Sequence, residues 1–421
     1  MTEPAVAATQ ETRGRASHAI HGPPVRHLYV HAPFCARRCF YCDFAVHVDP
    51  EPSGAGPRSG DDSATPGPGG GTRAWLAALA GELASTRREG VFALAPRLRT
   101  LYVGGGTPSL LGPESMNALR SLLGETRFED PDLEWTGEAN PESFDLELAE
   151  AWRRAGVNRL SLGQQSFHEP TLRWMGRLHG SEGGARALSA ARDAGFDNVS
   201  IDLMFGLPRR LGRDWTRDLD KALALEPEHV SLYGLTVEER TPLGRAVAEG
   251  KEAVADEERY REEYLEAAET LARAGYDHYE LSNFALEGRQ SRHNSACWLG
   301  SPYLGIGNGA HSYAHPLRRW NEPDWEEYHR RAIGGDLPEA GRELLTPDAE
   351  RLERVWLALR TRRGLELERA GDGAARESAR QLIRRWQRHD RAVVGAGRVR
   401  LTPKGWLLLD SLAVELAELL R

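Results

Sequence analysis

Short apolar runs alternate with longer amphipathic ones over most of this chain, and that alternation limits the fold more than any other feature. The apolar runs at 27–31, 99–103, 134–138, 158–162, 198–203 and 229–235 read as strands. Patterns of helical period fall between them at 73–88, 113–123, 145–155, 182–194, 215–224 and 256–274. Strand–helix alternation predicts a parallel sheet with helices outside it, and a repeat of roughly 30 residues suits a barrel-like array. The polar motifs sort in the same way. Cys35-Ala-Arg-Arg-Cys39-Phe-Tyr-Cys42 follows the first run, Gly104-Gly-Gly-Thr-Pro108 the second and Glu138-Ala-Asn-Pro141 the third. Gly163-Gln-Gln-Ser166 follows the fourth, and Asp202 ends the fifth. The carboxyl ends of strands are where barrel active sites are built.

Three of the four cysteines lie in that one loop; the fourth, Cys297, is far downstream. Three thiolates can hold three irons of a 4Fe-4S cube and leave the fourth iron open to a small molecule. An open metal position usually serves chemistry. Two other readings stand beside this one. Zinc wants four protein ligands, and only His31 or His47 is near enough in sequence to complete the set. A disulfide would leave one of the three unpaired, and nothing points to an oxidising compartment.

The C-x-x-x-C-x-x-C spacing resembles the cluster loop of the radical S-adenosylmethionine (SAM) superfamily. The lead-in Tyr29-Val-His-Ala-Pro-Phe34 resembles its oxygen-independent coproporphyrinogen oxidase and HemW branch. So do Gly156 to Gly163, Ile201 to Pro208, Tyr279 to Ala285 and Gly305 to Ser312. The resemblance runs from about residue 26 to 415. It implies an α/β fold: a partial TIM-like (β/α)6 radical SAM barrel followed by a small, mainly helical, winged-helix-like C-terminal domain. It implies Cys35, Cys39 and Cys42 as ligands of a 4Fe-4S cluster, and SAM contacts from Tyr29, Gly105, Gly106, Thr107, Glu138, Gln165, Arg177 and Asp202. The residue types suit those roles. Glycines let backbone approach a ligand closely, a ribose needs a hydroxyl-accepting carboxylate or amide, and a guanidinium grips the SAM carboxylate bidentately.

Within the branch, the oxygen-independent coproporphyrinogen oxidases carry a further cysteine two residues after the triad, where this chain has Phe44. They also have a longer amino-terminal segment over the substrate, whereas the residues before Tyr29 here are few. Both departures point to the HemW branch of haem chaperones, with its H-N-x-x-Y-W motif. The chain reads His293-Asn-Ser-Ala-Cys297-Trp298. His293 is the expected axial iron ligand and Trp298 the expected porphyrin contact. Cys297, in the place of the tyrosine, is either a second candidate ligand or a small buried hydrophobe. The function implied is to bind haem, alongside the cluster and SAM, and to pass it to haem-dependent membrane or respiratory proteins, with an external electron donor. The alternative is radical oxidative decarboxylation of coproporphyrinogen III propionates to vinyl groups. A third reading is radical chemistry on another tetrapyrrole or a lipid.

Composition excludes some classes. The formal net charge of −8 argues against a nucleic-acid partner. Of 54 basic residues only Lys221, Lys251 and Lys404 are lysine, so a single arginine carries little information. No apolar run is long enough to span a membrane, no apolar centre marks a signal peptide near the start, and free cysteines suit the cytoplasm. Peripheral membrane association and a homodimer stay open. The expected organisation is a disordered 1–25, a barrel over 26–285 with a flexible insertion at 49–72, a connecting segment with the haem motif over 286–324, and a C-terminal domain over 325–421.

Overall fold

A computed structural model describes residues 24–48, 70–369 and 373–420. The amino-terminal segment up to residue 23 and positions 49–69 of the expected insertion lie outside the described residues; positions 70–72 begin the first helix.

Six parallel strands form the centre: β1 (His27–Ala32), β2 (Thr100–Gly105), β3 (Glu134–Ala139), β4 (Arg159–Gln165), β5 (Val199–Phe205) and β6 (His229–Gly234). Each is followed by helix: α1 (Gly70–Glu89), α2 (Ser115–Leu123), α3 (Leu146–Ala155), then α4 (Glu169–Met175) with α5 (Gly183–Asp193), α6 (Trp215–Ala224), and α7 (Pro242–Ala248) with α8 (Glu257–Arg273). This is the expected open (β/α)6 barrel. Leu101, Val103, Leu160, Leu162, Ile201 and Leu203 are wholly buried, as a sheet covered on its outside requires. Helix starts are fixed by side-chain caps: Asp145, Asp214 and Asp256 accept from backbone N–H groups of the first turns of α3, α6 and α8.

The sheet continues beyond the barrel on both sides. On one side β6 pairs with β8 (Asn283–Ala285), which pairs with β7 (Asp277–Glu280), both antiparallel. On the other, β9 (Tyr303–Ile306) lies parallel to β1 and leads into the antiparallel run β10 (His311–Ala314), β11 (Leu317–Asn321) and β12 (Glu339–Leu344). Among the described residues the sheet has 12 strands. Between β8 and β9 sits α9 (Arg292–Trp298), and between β11 and β12 sits α10 (Trp325–Ile333).

The expected organisation needs correction here. Residues 286–324 are not a connector, and a domain boundary at 325 would cut off α10 and β12, which belong with the sheet. A buried network ties the extension to α1. Glu82 accepts from Gly307 N (2.8 Å), Asn321 Nδ2 (2.5 Å) and Tyr328 Oη (2.6 Å), and wholly buried Arg319 pairs with Glu89.

The C-terminal domain holds α11 (Pro347–Arg360), α12 (Gly373–Arg388), α13 (Pro403–Trp406), α14 (Leu409–Leu419) and a small antiparallel sheet. That sheet has β13 (Leu365–Glu366) and β14 (Ala392–Gly395) on either side of β15 (Arg398–Leu401). The domain continues the edge of the large sheet: Leu281 N donates to Arg360 O (3.1 Å), Arg362 N donates to Tyr279 O (2.9 Å), and Trp406 packs edge-on against His278.

Candidate cofactor cleft and the haem motif

The cysteine loop is anchored by the two aromatics inside it. Phe40 and Tyr41 pack on a second hydrophobic cluster formed by Met175, Met204, Leu207, Leu235 and Leu243. Phe40 N donates to Met175 O (3.1 Å), Leu243 N donates to Phe40 O (2.9 Å), and Trp174 meets the Phe40 ring edge-on. The loop is thereby hung between the end of α4 and the start of α7. Its three thiols turn onto a cleft of about 470 Å³ at the carboxyl ends of the barrel strands.

That cleft collects most of the residues expected from sequence. Gly105, Gly106, Thr107, Glu138, Gln165, Arg177 and Asp202 line it with Cys35, Cys39 and Cys42. A polar chain links two of the thiols through the strand ends. Thr107 Oγ1 lies 3.5 Å from Cys35 Sγ, and Asn140 Nδ2 donates to Thr107 Oγ1 (3.1 Å). Arg177 Nη2 donates to Asn140 Oδ1 (2.6 Å) and Gly163 O (2.8 Å), while its Nη1 lies 3.7 Å from Cys39 Sγ. Asn140 is the hub of this chain, and sequence reasoning missed it as a site residue. Its place in the third strand-end motif was the available signal.

Two expectations change in detail. The glycines are required by the protein's own packing as well as by any ligand. A Cβ on Gly106 would lie 2.7–2.8 Å from the carbonyl oxygens of Ala32, Pro33 and Phe34, and one on Gly105 would strike the His31 ring. Those contacts press the glycine loop onto the entry to the cysteine loop, where Gly106 N and Thr107 N donate to Ala32 O and Phe34 O. Tyr29 is not on the cleft wall. It lies three residues short of the end of β1, stacks on Tyr102, and places its hydroxyl 3.0 Å from His31 Nδ1.

The floor of the cleft is acidic. Glu138 accepts from Tyr102 Oη (2.6 Å) and Gly105 N (3.0 Å), yet burial still raises its pKa. Asp202 accepts from the Ser161 and Ser200 hydroxyls, and burial together with the nearby Glu138 charge pushes its pKa up to about 7. Buried Arg159 offsets part of this charge. Two buried carboxylates favour a cationic ligand, as a sulfonium with an α-ammonium group is.

Three thiols on one short loop fit a 4Fe-4S cluster that keeps one iron open. Among the described residues no three His, Cys, Asp or Glu side chains converge on a single-ion site. The zinc reading also loses its fourth ligand. His31 Nε2 lies 3.0 Å from Ala45 O and must donate to it, so Nδ1 accepts from the Tyr29 hydroxyl and both nitrogens are used. His47 packs against Phe34 and Trp325. Burial raises the pKa of Cys42 and pushes that of Cys35 up to about 11, so metal binding must displace protons here.

The second motif lies at the opposite end of the barrel. Helix α9 plugs it: Arg292 N and His293 N donate to Glu134 at the start of β3 (3.0 and 2.9 Å). His293 is 5 % exposed, places Nδ1 2.8 Å from Thr100 Oγ1, and packs on Tyr102. This corrects the axial-ligand expectation, because an enclosed, hydrogen-bonded ring is not presented to a porphyrin. Trp298 and Cys297, at the outer end of α9, border a surface cleft of about 540 Å³. Trp298 also borders a second cleft of about 450 Å³.

Fold and cleft together define a radical SAM protein, and residues 29–222 match the Radical SAM superfamily profile. The chain is 37 % identical over 358 residues to the haem chaperone HemW of Mycobacterium tuberculosis, across 85 % of this chain and 86 % of that one. It is 31 % identical over 348 residues to the haem chaperone HemW of Bacillus subtilis, across 82 % and 86 %. Its fold superposes on coproporphyrinogen III oxidase (HemN) from Escherichia coli, a radical SAM enzyme, with a TM-score of 0.75 over 95 % of this chain and 92 % of that one, at 21 % identity. The chain belongs to the HemW family of the radical SAM superfamily.

Proposed function

We propose that this protein is a haem chaperone: it binds haem and passes it to haem-dependent acceptor proteins, while holding a 4Fe-4S cluster and SAM in the strand-end cleft. The observation that carries this is similarity to HemW chaperones over most of the chain at 37 % identity. Phe44 supports it. It stands where the oxidase branch has its further cysteine, and it is 63 % exposed at the cleft mouth. The acceptors we infer are respiratory membrane proteins reached from the cytoplasm; among the described residues no helix is long and apolar enough to cross a membrane.

In this reading Cys35, Cys39 and Cys42 would hold the cluster, which when bound would supply one-electron chemistry to SAM. The protein's part is orientation. Arg177 and Asn140 fix the strand ends against Cys39 and Cys35, and Arg177 would receive the SAM carboxylate. Glu138 and Asp202 attract the cationic groups of SAM, and Gln165 reaches the cleft from a left-handed backbone position (φ 65°). Coproporphyrinogen decarboxylation is the second reading, favoured by the fold-level likeness alone.

Haem contact falls to the outer end of α9. Anaerobic titration of the cluster-loaded protein with haem should show saturable uptake, about tenfold weaker in Trp298→Ala, a loss of about 1.4 kcal/mol. Uptake that never saturates, or that is indifferent to Trp298, would count against the chaperone reading.

A further inference from the structure

The cleft of about 450 Å³ beside Trp298 has an unusual charge balance for a chain of net charge −8. It lies where the end of α9, the edge strand β7 and the C-terminal domain meet. Its wall carries two acids and three arginines. Asp277 is paired with Arg362, and Glu280 with Arg360 (2.9 Å). Arg363 and Arg400 remain on the wall, with no carboxylate partner among the described residues. The Arg400 Nε–H and the Trp298 Nε1–H are buried there without a hydrogen-bond partner in the described structure. The apolar part of the wall is the Trp298 indole, held on one face by Arg360 (4.0 Å to the ring centroid), and Leu299, which is 52 % exposed.

The neighbouring cleft on the other side of Trp298 makes the contrast. Its Arg318 is taken by Glu353 (2.6 Å), and Glu343 and Asp410 add further negative charge. An anion is favoured on one side of Trp298 and disfavoured on the other.

We propose that the arginine-lined cleft seats the two carboxylates of a flat apolar macrocycle, the propionate edge of haem, with Arg363 and Arg400 as the pair that receives them. This rests on the reading above that the protein binds haem. Two cations left over after internal pairing match two propionates, and guanidinium groups bind carboxylates bidentately. The macrocycle lies across Trp298 and Leu299, which accounts for a large apolar side chain left in water beside charged groups. The clamp orients haem by its polar edge whatever side chain binds the iron.

The test compares haem with haem dimethyl ester, which keeps the ring and iron but has no carboxylates. Both are titrated anaerobically into the full-length, cluster-loaded protein, and then into Arg363→Gln, Arg400→Gln and Arg318→Gln. Haem should bind at least tenfold more tightly than the ester to the unaltered protein. Arg363→Gln and Arg400→Gln should each weaken haem about fivefold and leave the ester unchanged, while Arg318→Gln changes neither. Equal affinities for haem and ester in the unaltered protein would overturn the clamp while leaving the chaperone reading intact. Losses of the same size for haem and ester in the arginine variants would overturn it too. Binding of neither ligand would overturn both.

Discussion

Asp202 shows how one residue ties the cleft to solution conditions. Its folded pKa of about 7 lies above the ordinary value of 3.8, so the folded protein holds this proton more tightly than the unfolded chain. That contribution to stability is complete below about pH 4 and is lost as pH rises towards 7. Asp202→Asn, which never ionises, should therefore gain in melting temperature on the unaltered protein between pH 5 and 8. A constant gap would show that Asp202 is already ionised. Ligand binding carries the opposite sign. A cationic ligand prefers the ionised carboxylate, so SAM affinity should rise with pH through about 7 in the unaltered protein and stay flat in Asp202→Asn. The sequence made Glu138 and Asp202 visible because each is an acid set in or at the end of an apolar run, although Asp202 lies three residues inside the end of β5. It could not show Tyr102, Ser161 and Ser200 around them, which reach the same carboxylates from three different strands.

At the level of elements, α9 is the informative case. Its sequence motif was legible, but the opposite surroundings of His293 and Trp298 were not. The helix is short and buries His293 and Ala296, and Ser291 caps it by accepting from Asn294 N. Two of its backbone N–H groups end on Glu134, so His293 is drawn under the barrel while Trp298 is left outside. No local pattern encodes that, because the partner carboxylate is 158 positions away for Arg292. His293→Ala should leave a cavity and remove one of the two hydrogen bonds of Thr100 Oγ1, which keeps His27, costing about 2–3 kcal/mol in denaturant unfolding. The absorption spectrum of bound haem should stay where it was. A shifted Soret band with unchanged stability would restore His293 as the iron ligand. The extension β9–β12 was overlooked for a related reason. Its strands are short and carry Arg, His and Gly, and what holds them is buried contact with Glu82 and Glu89 on α1 rather than an alternating apolar face.

On the scale of the whole molecule, the barrel separates the cysteine-lined cleft from α9 by its own length. The cysteine loop and Glu138 lie at the carboxyl ends of the strands, with Asp202 three residues inside the end of β5, and α9 closes the amino ends. The six-stranded barrel and its helices were legible because strand and helix periods differ and each parallel strand is buried as a unit. The route between the two ends was not. Tyr102 contacts Glu138 through its hydroxyl and His293 through its ring, so the buried interior joins the cofactor cleft to the plug. The C-terminal domain completes the second end, since Arg363 and Arg400 reach the Trp298 cleft from it.

In the proposed function the molecule carries a tetrapyrrole rather than transforming one. The most direct test of this is one anaerobic preparation of cluster-loaded protein with SAM and reductant, divided in two. One half is given coproporphyrinogen III and analysed for loss of carbon dioxide. The other is loaded with haem and mixed with a haem-free acceptor protein whose Soret band differs. The expected result is transfer of haem to the acceptor with no decarboxylation. Decarboxylation at many turnovers per chain, with haem neither taken up nor released, would contradict the account.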